Sequence, residues 1–321
     1  PAAEFDTERF IRGTQRKIQQ HKIHRLVWQS ASVAAVFMIV LFSVLFTREN
    51  RPPESSVVND VPVAGKTQAV LSLPDGRQVA LGNEKEQDTA WMKYVEACTI
   101  ESKATTEPAD IKIEVARGGE YKIRLEDGTT VWLNSESSLI YPEKFTGDKR
   151  AVRLSGEGYF EVARDEKKPF IVSVTDMEIK VLGTKFNVTA YQDEKMTTTT
   201  LISGAVEVVT PHRSVQLQPG KQAMVQEGGD DITVLEVDVE LATSWTAGIF
   251  KFDKMALTDI CTRLSRWYDI DFVFEGETGK EKFTGGTWKY VPLKDFLSKI
   301  ERVTNVLFLF ENNTVKVVPK K

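Results

Sequence analysis

The sequence predicts a mixed, mostly β protein hung on a single membrane-spanning helix. An all-β domain of two packed sheets comes first, then a small C-terminal α/β domain of order β-α-β-β-α-β-β. Three patterns carry this: an uncharged apolar run near the N-terminus, a long region of short alternating strands broken by turn residues, and a final switch to mixed helix and strand periodicity.

Residues 26–47 contain no Asp, Glu, Lys or Arg, and Val33 to Phe46 is interrupted only by Ser43. At 1.5 Å per residue such a helix spans about 33 Å, enough for a hydrocarbon core of about 30 Å. A buried soluble helix of six turns would carry a polar face, and this one has none. Arg9, Arg12, Arg16, Lys17, Lys22 and Arg25 precede the run, whereas Arg48 and Arg51 follow it among Glu49, Glu54 and Asp60. The basic flank stays inside, so the N-terminus is expected in the cytoplasm and the bulk of the chain outside it, with the lipid bilayer as a partner. The basic stretch is too long for a cleaved signal peptide and no A-x-A site follows. Residues 1–25 read as a basic helix capped at Asp6, the end of a truncated cytoplasmic domain, because the chain opens Pro1-Ala2-Ala3 without Met. Residues 48–61, with Arg51-Pro52-Pro53-Glu54-Ser55-Ser56, are a spacer.

A hairpin-containing lead-in is expected over 62–114. Val70 to Leu81 resembles Lys122 to Leu133 fifty-two residues later, each an alternating strand, an Asp-Gly turn and a second strand. From 115 to 240 the period is two: Tyr121, Ile123 and Leu125 share a face, then Phe170, Val172 and Val174, Ile179 and Val181, Val206 and Val208. Breaks at Gly147-Asp148, Lys168-Pro169, Pro211-His212 and Pro219-Gly220 give the spacing of an antiparallel two-sheet domain.

Over 241–321 the pattern changes. Ile249 to Phe252 reads as a strand, Leu257 to Tyr268 as a helix burying Leu257, Ile260, Leu264 and either Trp267 or Tyr268, and Ile270 to Phe274 as a strand. Another strand follows over Lys282 to Thr287, Pro292 opens a second helix, and a hairpin closes the chain around Asn312-Asn313. Helices are expected on one sheet face. Small sheets with open edges accept an added strand, which marks Ile249, Phe250 and Phe252, and Val315 and Val317, as candidate partner-binding residues.

Composition excludes several functions. A net charge of −4 and a pI near 5.7 offer no broad basic surface, so nucleic acid is not expected as a partner. The histidines are His21, His24 and His212, two of them before the apolar run, which leaves no multi-histidine metal site or His-based triad outside. Neither nucleotide-cradling glycine motif occurs, and no metal or cofactor is expected. Glu157 and Glu161 would lie about 13 Å apart on a regular strand, too far for a carbohydrase pair. Cys98 and Cys261 fall in different domains, and Cys261 sits at a helix-core spacing. Trp91, Trp132 and Trp288 could stack on sugar rings, so a glycan-binding or adhesive domain is the alternative.

Arg117-Gly118-Gly119-Glu120-Tyr121, Asp127-Gly128-Thr129, Val131-Trp132-Leu133-Asn134-Ser135, Gly156-Glu157-Gly158-Tyr159-Phe160, Pro169-Phe170-Ile171-Val172 and Val181-Leu182-Gly183-Thr184-Lys185-Phe186-Asn187 occur in order. This series resembles the FecR family of transmembrane anti-sigma regulators. The region of Trp245 to Phe252 and Leu264 to Tyr268 is similar to the domain that follows in FecR-like proteins, itself like secretin and TonB short N-terminal domains. The resemblance implies a bacterial inner-membrane protein with periplasmic C-terminal domains. It further implies that the chain relays a signal from the N-terminal signalling domain of a TonB-dependent outer-membrane transporter to an extracytoplasmic-function sigma factor. It also marks Gly183 and Thr184, because some FecR-like regulators resemble self-processing proteins that cut a Gly-Thr bond. There the Thr hydroxyl attacks the preceding carbonyl, shifting the acyl group from nitrogen to oxygen before water hydrolyses the ester. The other reading gives Gly183 to a β-bulge and Thr184 to an ordinary strand. No metabolic enzyme activity is implied.

Overall fold

The computed structural model describes residues 63–82, 110–175 and 177–320, all within one compact unit of the chain. The expected membrane helix lies outside the described residues, as do Trp91 and Cys98; among the described residues no helix is long and apolar enough to cross a membrane.

Sixteen strands form the β-domain: β1 (Lys66–Thr67), β2 (Ala69–Ser72), β3 (Gln78–Leu81), β4 (Asp110–Val115), β5 (Gly119–Arg124), β6 (Thr130–Leu133), β7 (Ser137–Pro142), β8 (Arg150–Glu161), β9 (Phe170–Val174), β10 (Met177–Val181), β11 (Lys185–Ala190), β12 (Met196–Ser203), β13 (Val206–Val209), β14 (Ser214–Leu217), β15 (Lys221–Gln226) and β16 (Ile232–Glu236). They lie in two layers. One runs β3-β2-β4-β7-β8-β9-β10-β13-β14. The other runs β1-β5-β6-β8-β11-β12-β15-β16. Strand β8 belongs to both, pairing β7 and β9 before Gly156 and β6 and β11 from Gly156 onward. Between the layers, alternate residues such as Ile111, Ile113, Leu133, Leu139, Phe160, Ile179 and Val208 are buried, as the period of two requires.

The two similar hairpins have the same turn. Gly76 and Gly128 sit at φ 84° and 85°, and each amide donates to the carbonyl three residues back, Leu73 and Leu125. A residue with a Cβ is strained there, so the Asp-Gly pair carries the turn. The second turn is also bolted to the core. Buried Arg150 donates to Asp127 at 2.7 Å and to the carbonyls of Ala163 and Lys168 at 2.8 and 2.9 Å. Truncating Arg150→Ala strands a partly buried carboxylate and two carbonyls, so a loss of about 3–5 kcal/mol is expected, read as a lower unfolding midpoint in urea.

The C-terminal module comprises α1 (Val239–Thr243), a 3-10 turn (Ser244–Ala247), β17 (Ile249–Ala256), α2 (Leu257–Tyr268), β18 (Asp271–Phe274), β19 (Lys282–Trp288), α3 (Leu293–Val303), β20 (Val306–Glu311) and β21 (Thr314–Pro319). From β17 on, the element order is the expected one. Helix α2 buries Leu257, Ile260, Cys261, Leu264, Trp267 and Tyr268, and α3 buries Leu293, Phe296, Leu297 and Ile300. Burial pushes the Cys261 thiol well up, so it is an unreactive core residue. The strands do not form one sheet. β17 pairs with β19, and β21 lies between β18 and β20, parallel to the first and antiparallel to the second. Alternation shows which face of a strand is apolar and not which strand lies beside it, so this division was not legible.

Candidate functional site

The Gly183-Thr184 bond lies in the crossing from β10 in one layer to β11 in the other. A Cβ on Gly183 would stand 2.7 Å from the Arg164 Cα, so close backbone packing demands glycine there. The register shift falls at Lys185/Phe186, after the dipeptide. Thr184 is buried, its carbonyl accepts from Val162 at 3.0 Å, and its hydroxyl donates to the Ala205 carbonyl at 2.9 Å. Gly204, at φ 95°, closes over both groups: a Cβ there would lie 2.8 Å from the Thr184 hydroxyl and 3.0 Å from the Gly183 oxygen. A carbonyl acceptor orients a hydroxyl and does not deprotonate it. Packing therefore accounts for Gly183 and Thr184, and an intact mass is expected for the purified chain. Fragments ending at Gly183 and starting at Thr184, absent in Thr184→Ala and kept in Thr184→Ser, would instead show the acyl shift.

The expected docking residues lie mostly in the module's core. Phe250, Phe252, Val315 and Val317 are buried and Ile249 is half-buried. β21 is an interior strand, paired on both sides, which corrects the reading of Val315 and Val317 as an edge. On β17, Phe250 and Phe252 stack, Phe252 packs on Phe296, and Lys251 is tied to Asp238 and Glu240 at 3.2 and 2.6 Å. Surface positions come from the strands beside β21. Val273, Lys316 and Leu309 are cross-strand neighbours on one face, with Val318 and Leu307 in the next row. Val273, Leu307 and Leu309 are exposed, whereas Phe272, Phe308 and Val315 on the opposite face turn into the module core. The signal for this face was present in Val306-Leu307-Phe308-Leu309-Phe310, where both faces of one strand are apolar.

A third cluster joins the module to the β-domain, and the sequence did not reveal it. Arg266 on α2 is buried; its guanidinium pairs with Asp193 and Glu194 at 2.6 Å each and with Glu136 at 3.3 Å, and lies 3.6 Å from the Tyr191 ring centroid. Lys289, fully buried, pairs with Glu120 at 2.7 Å and lies 3.8 Å from the Trp267 ring centroid. Burial pulls its ammonium below the ordinary lysine value, while Glu120 opposes that shift. In the reverse sense, Arg117 of the β-domain pairs with Asp271 and Asp269 at 2.9 and 3.3 Å. The Trp245 indole donates to Asn187 at 3.1 Å, and Asn187 donates to Glu157 at 3.0 Å. Glu157 is thus a bridging acceptor, also held by Asn134 and Thr189. Trp132 packs edge-on against Tyr159 in the β-domain and exposed Trp288 stands on the module, so these two form no shared stacking platform. Among the described residues no group of three or more His, Cys, Asp or Glu is placed to hold a metal ion.

Comparison with known proteins matches this two-part layout. The FecR protein family matches residues 111–207, and the FecR, C-terminal family matches 249–317. Two crystal structures of a protein assigned as an anti-sigma factor from Parabacteroides distasonis ATCC 8503 are similar. Each is 30% identical with a TM-score of 0.61; one match covers 65% of this chain and 99% of that one, the other 66% and 100%. No match is found among curated proteins. With its two modules in family order and a relative matched over nearly its whole length, the chain belongs to the FecR family of anti-sigma factor regulators, which are regulatory proteins and not enzymes.

Proposed function

We propose that this regulator is a single-pass inner-membrane relay, in which the C-terminal module receives the N-terminal signalling domain of a TonB-dependent transporter and the cytoplasmic end controls an extracytoplasmic-function sigma factor. The uncharged segment 26–47 with its basic N-terminal flank supports the membrane placement. The observation that carries the docking half is the exposed apolar group Val273, Leu307 and Leu309, spread over two cross-strand rows around Lys316 on one face of a three-stranded sheet. Neighbouring apolar side chains left facing solvent on a sheet support the reading of this face as a protein-binding surface.

The test uses the detergent-solubilised full chain and the signalling domain of the transporter encoded nearest to it, with affinity measured by titration calorimetry. Leu307→Asp with Leu309→Asp is expected to weaken binding at least about a hundredfold, because each charge must be desolvated at the contact. Both side chains are solvent-facing, so the fold persists. Equal affinity for wild type and variant would remove this docking face; absence of binding by either would remove the transporter from the reading.

A further inference from the structure

The strand that leads into the β-domain is held by the C-terminal module as well as by its own domain. Lys66 and Gln68 donate backbone hydrogen bonds to the carbonyls of Gly118 and Glu120, both at 3.0 Å, and β1 runs parallel to β5. Immediately before it, Gly65 lies flat against the Trp267 indole: a Cβ there would stand 2.6–2.8 Å from three ring atoms. Ala64 packs into the module's apolar cluster, not that of the β-domain. The residues that receive the strand are themselves gripped by the module. The Gly118 amide donates to the Arg266 carbonyl at 2.7 Å, Arg117 reaches the Ser265 and Ile270 carbonyls at 3.0 and 2.7 Å, and Glu120 holds Lys289 and Tyr290 at 2.7 and 2.9 Å.

We propose that the C-terminal module is a clamp on the leading strand: while it is docked, Trp267 and the Arg266 and Lys289 ion pairs fix residues 64–68, and when it undocks they are released together. The hold is built mainly from ion pairs across the junction. Arg266 and Lys289 are buried while Asp193, Glu194 and Glu136 reach solvent, so removing the carboxylates leaves a buried cation uncompensated and weakens the junction, and polar interfaces between modules of one chain permit such relative motion. Asp193 and Glu194 lie in the turn between β11 and β12, outside both apolar cores, so the latch can be altered without touching either core. Release acts on the segment of chain that follows the spacer, 18 residues beyond Thr47 in sequence at Gly65. A signal arriving at the module therefore reaches the membrane side of the chain through Gly65 and Trp267 without crossing the β-domain. That direction of signalling rests on the relay proposed above; the clamp itself does not.

Amide hydrogen exchange by mass spectrometry on the solubilised full chain tests the clamp with no transporter present, so its outcome is separate from that of the docking experiment. In Asp193→Lys/Glu194→Lys, which sets two cations against Arg266, peptides covering 63–70 are expected to exchange at least about tenfold faster. Peptides covering β9 and β10 (170–181) and the core face of α2 should be unchanged. The isosteric pair Asp193→Asn/Glu194→Gln carries no new repulsion and should move 63–70 in the same direction by a smaller factor. Unchanged exchange at 63–70 in both variants, with 170–181 still protected, overturns the clamp. If the lysine variant loses protection at 170–181, it has unfolded and the isosteric pair alone decides, a flat response again overturning the proposal.

Discussion

Gly156→Val is expected to prevent the β-domain from folding. Strand β8 leaves one layer and joins the other at this residue, which adopts φ 90°. A Cβ there would lie 2.7 Å from the Glu136 carbonyl oxygen and against the Ser137 hydroxyl, which itself donates no slack because it accepts the Glu157 amide at 2.8 Å. A β-branched residue at this φ costs on the order of 1–3 kcal/mol in strain, and the steric overlap with backbone adds about as much or more. Against a total stability of roughly 5–15 kcal/mol, the sum leaves little folded protein. Circular dichroism and the soluble yield measure it, and Gly156→Ala is expected to be milder and in the same direction. A Val variant that melts within a few degrees of wild type would mean that β8 can bend elsewhere.

Trp267→Ala is expected to cost about 3–5 kcal/mol by opening a cavity in the module core. The ring is buried, its indole N–H donates to the Lys289 carbonyl at 2.7 Å, its face holds the Lys289 ammonium, and its edge meets Tyr290. Removal takes away apolar contact and leaves the Lys289 carbonyl and charge less well matched. Urea unfolding monitored separately in the two modules reads the effect. The module transition should move to much lower denaturant, whereas the β-domain, whose core cluster contains no residue of α2, should move little. Equal shifts in both transitions would show that the two cores unfold as one.

The two predictions differ in how far the sequence anticipated them. Gly156-Glu157-Gly158 was legible as part of a family-like series, yet nothing in it said that the first glycine moves a strand between layers. Trp267 was legible as one of two alternative core positions at the end of a helix. What the sequence determined by itself was the class of each element: the period of two from 115 to 240, the Asp-Gly turns at 76 and 128, the helix Leu257–Tyr268, and the order β-α-β-β-α-β-β. Those are local quantities, set by side-chain periodicity and backbone preference within a few residues. The rest was decided by contacts between residues distant in the chain. Register placed β21 inside its sheet, making Val315 and Val317 core residues and leaving Leu307 and Leu309 outside. Close packing calls for glycine at 183, whose neighbour Arg164 is 19 positions away. The junction brings Arg266 to Asp193 and Glu194, and Lys289 to Glu120. A charged residue in a sequence looks the same whether water or a partner module surrounds it; only the tertiary fold, by burying Arg266 and Lys289, distinguishes a solvated surface from a clamp.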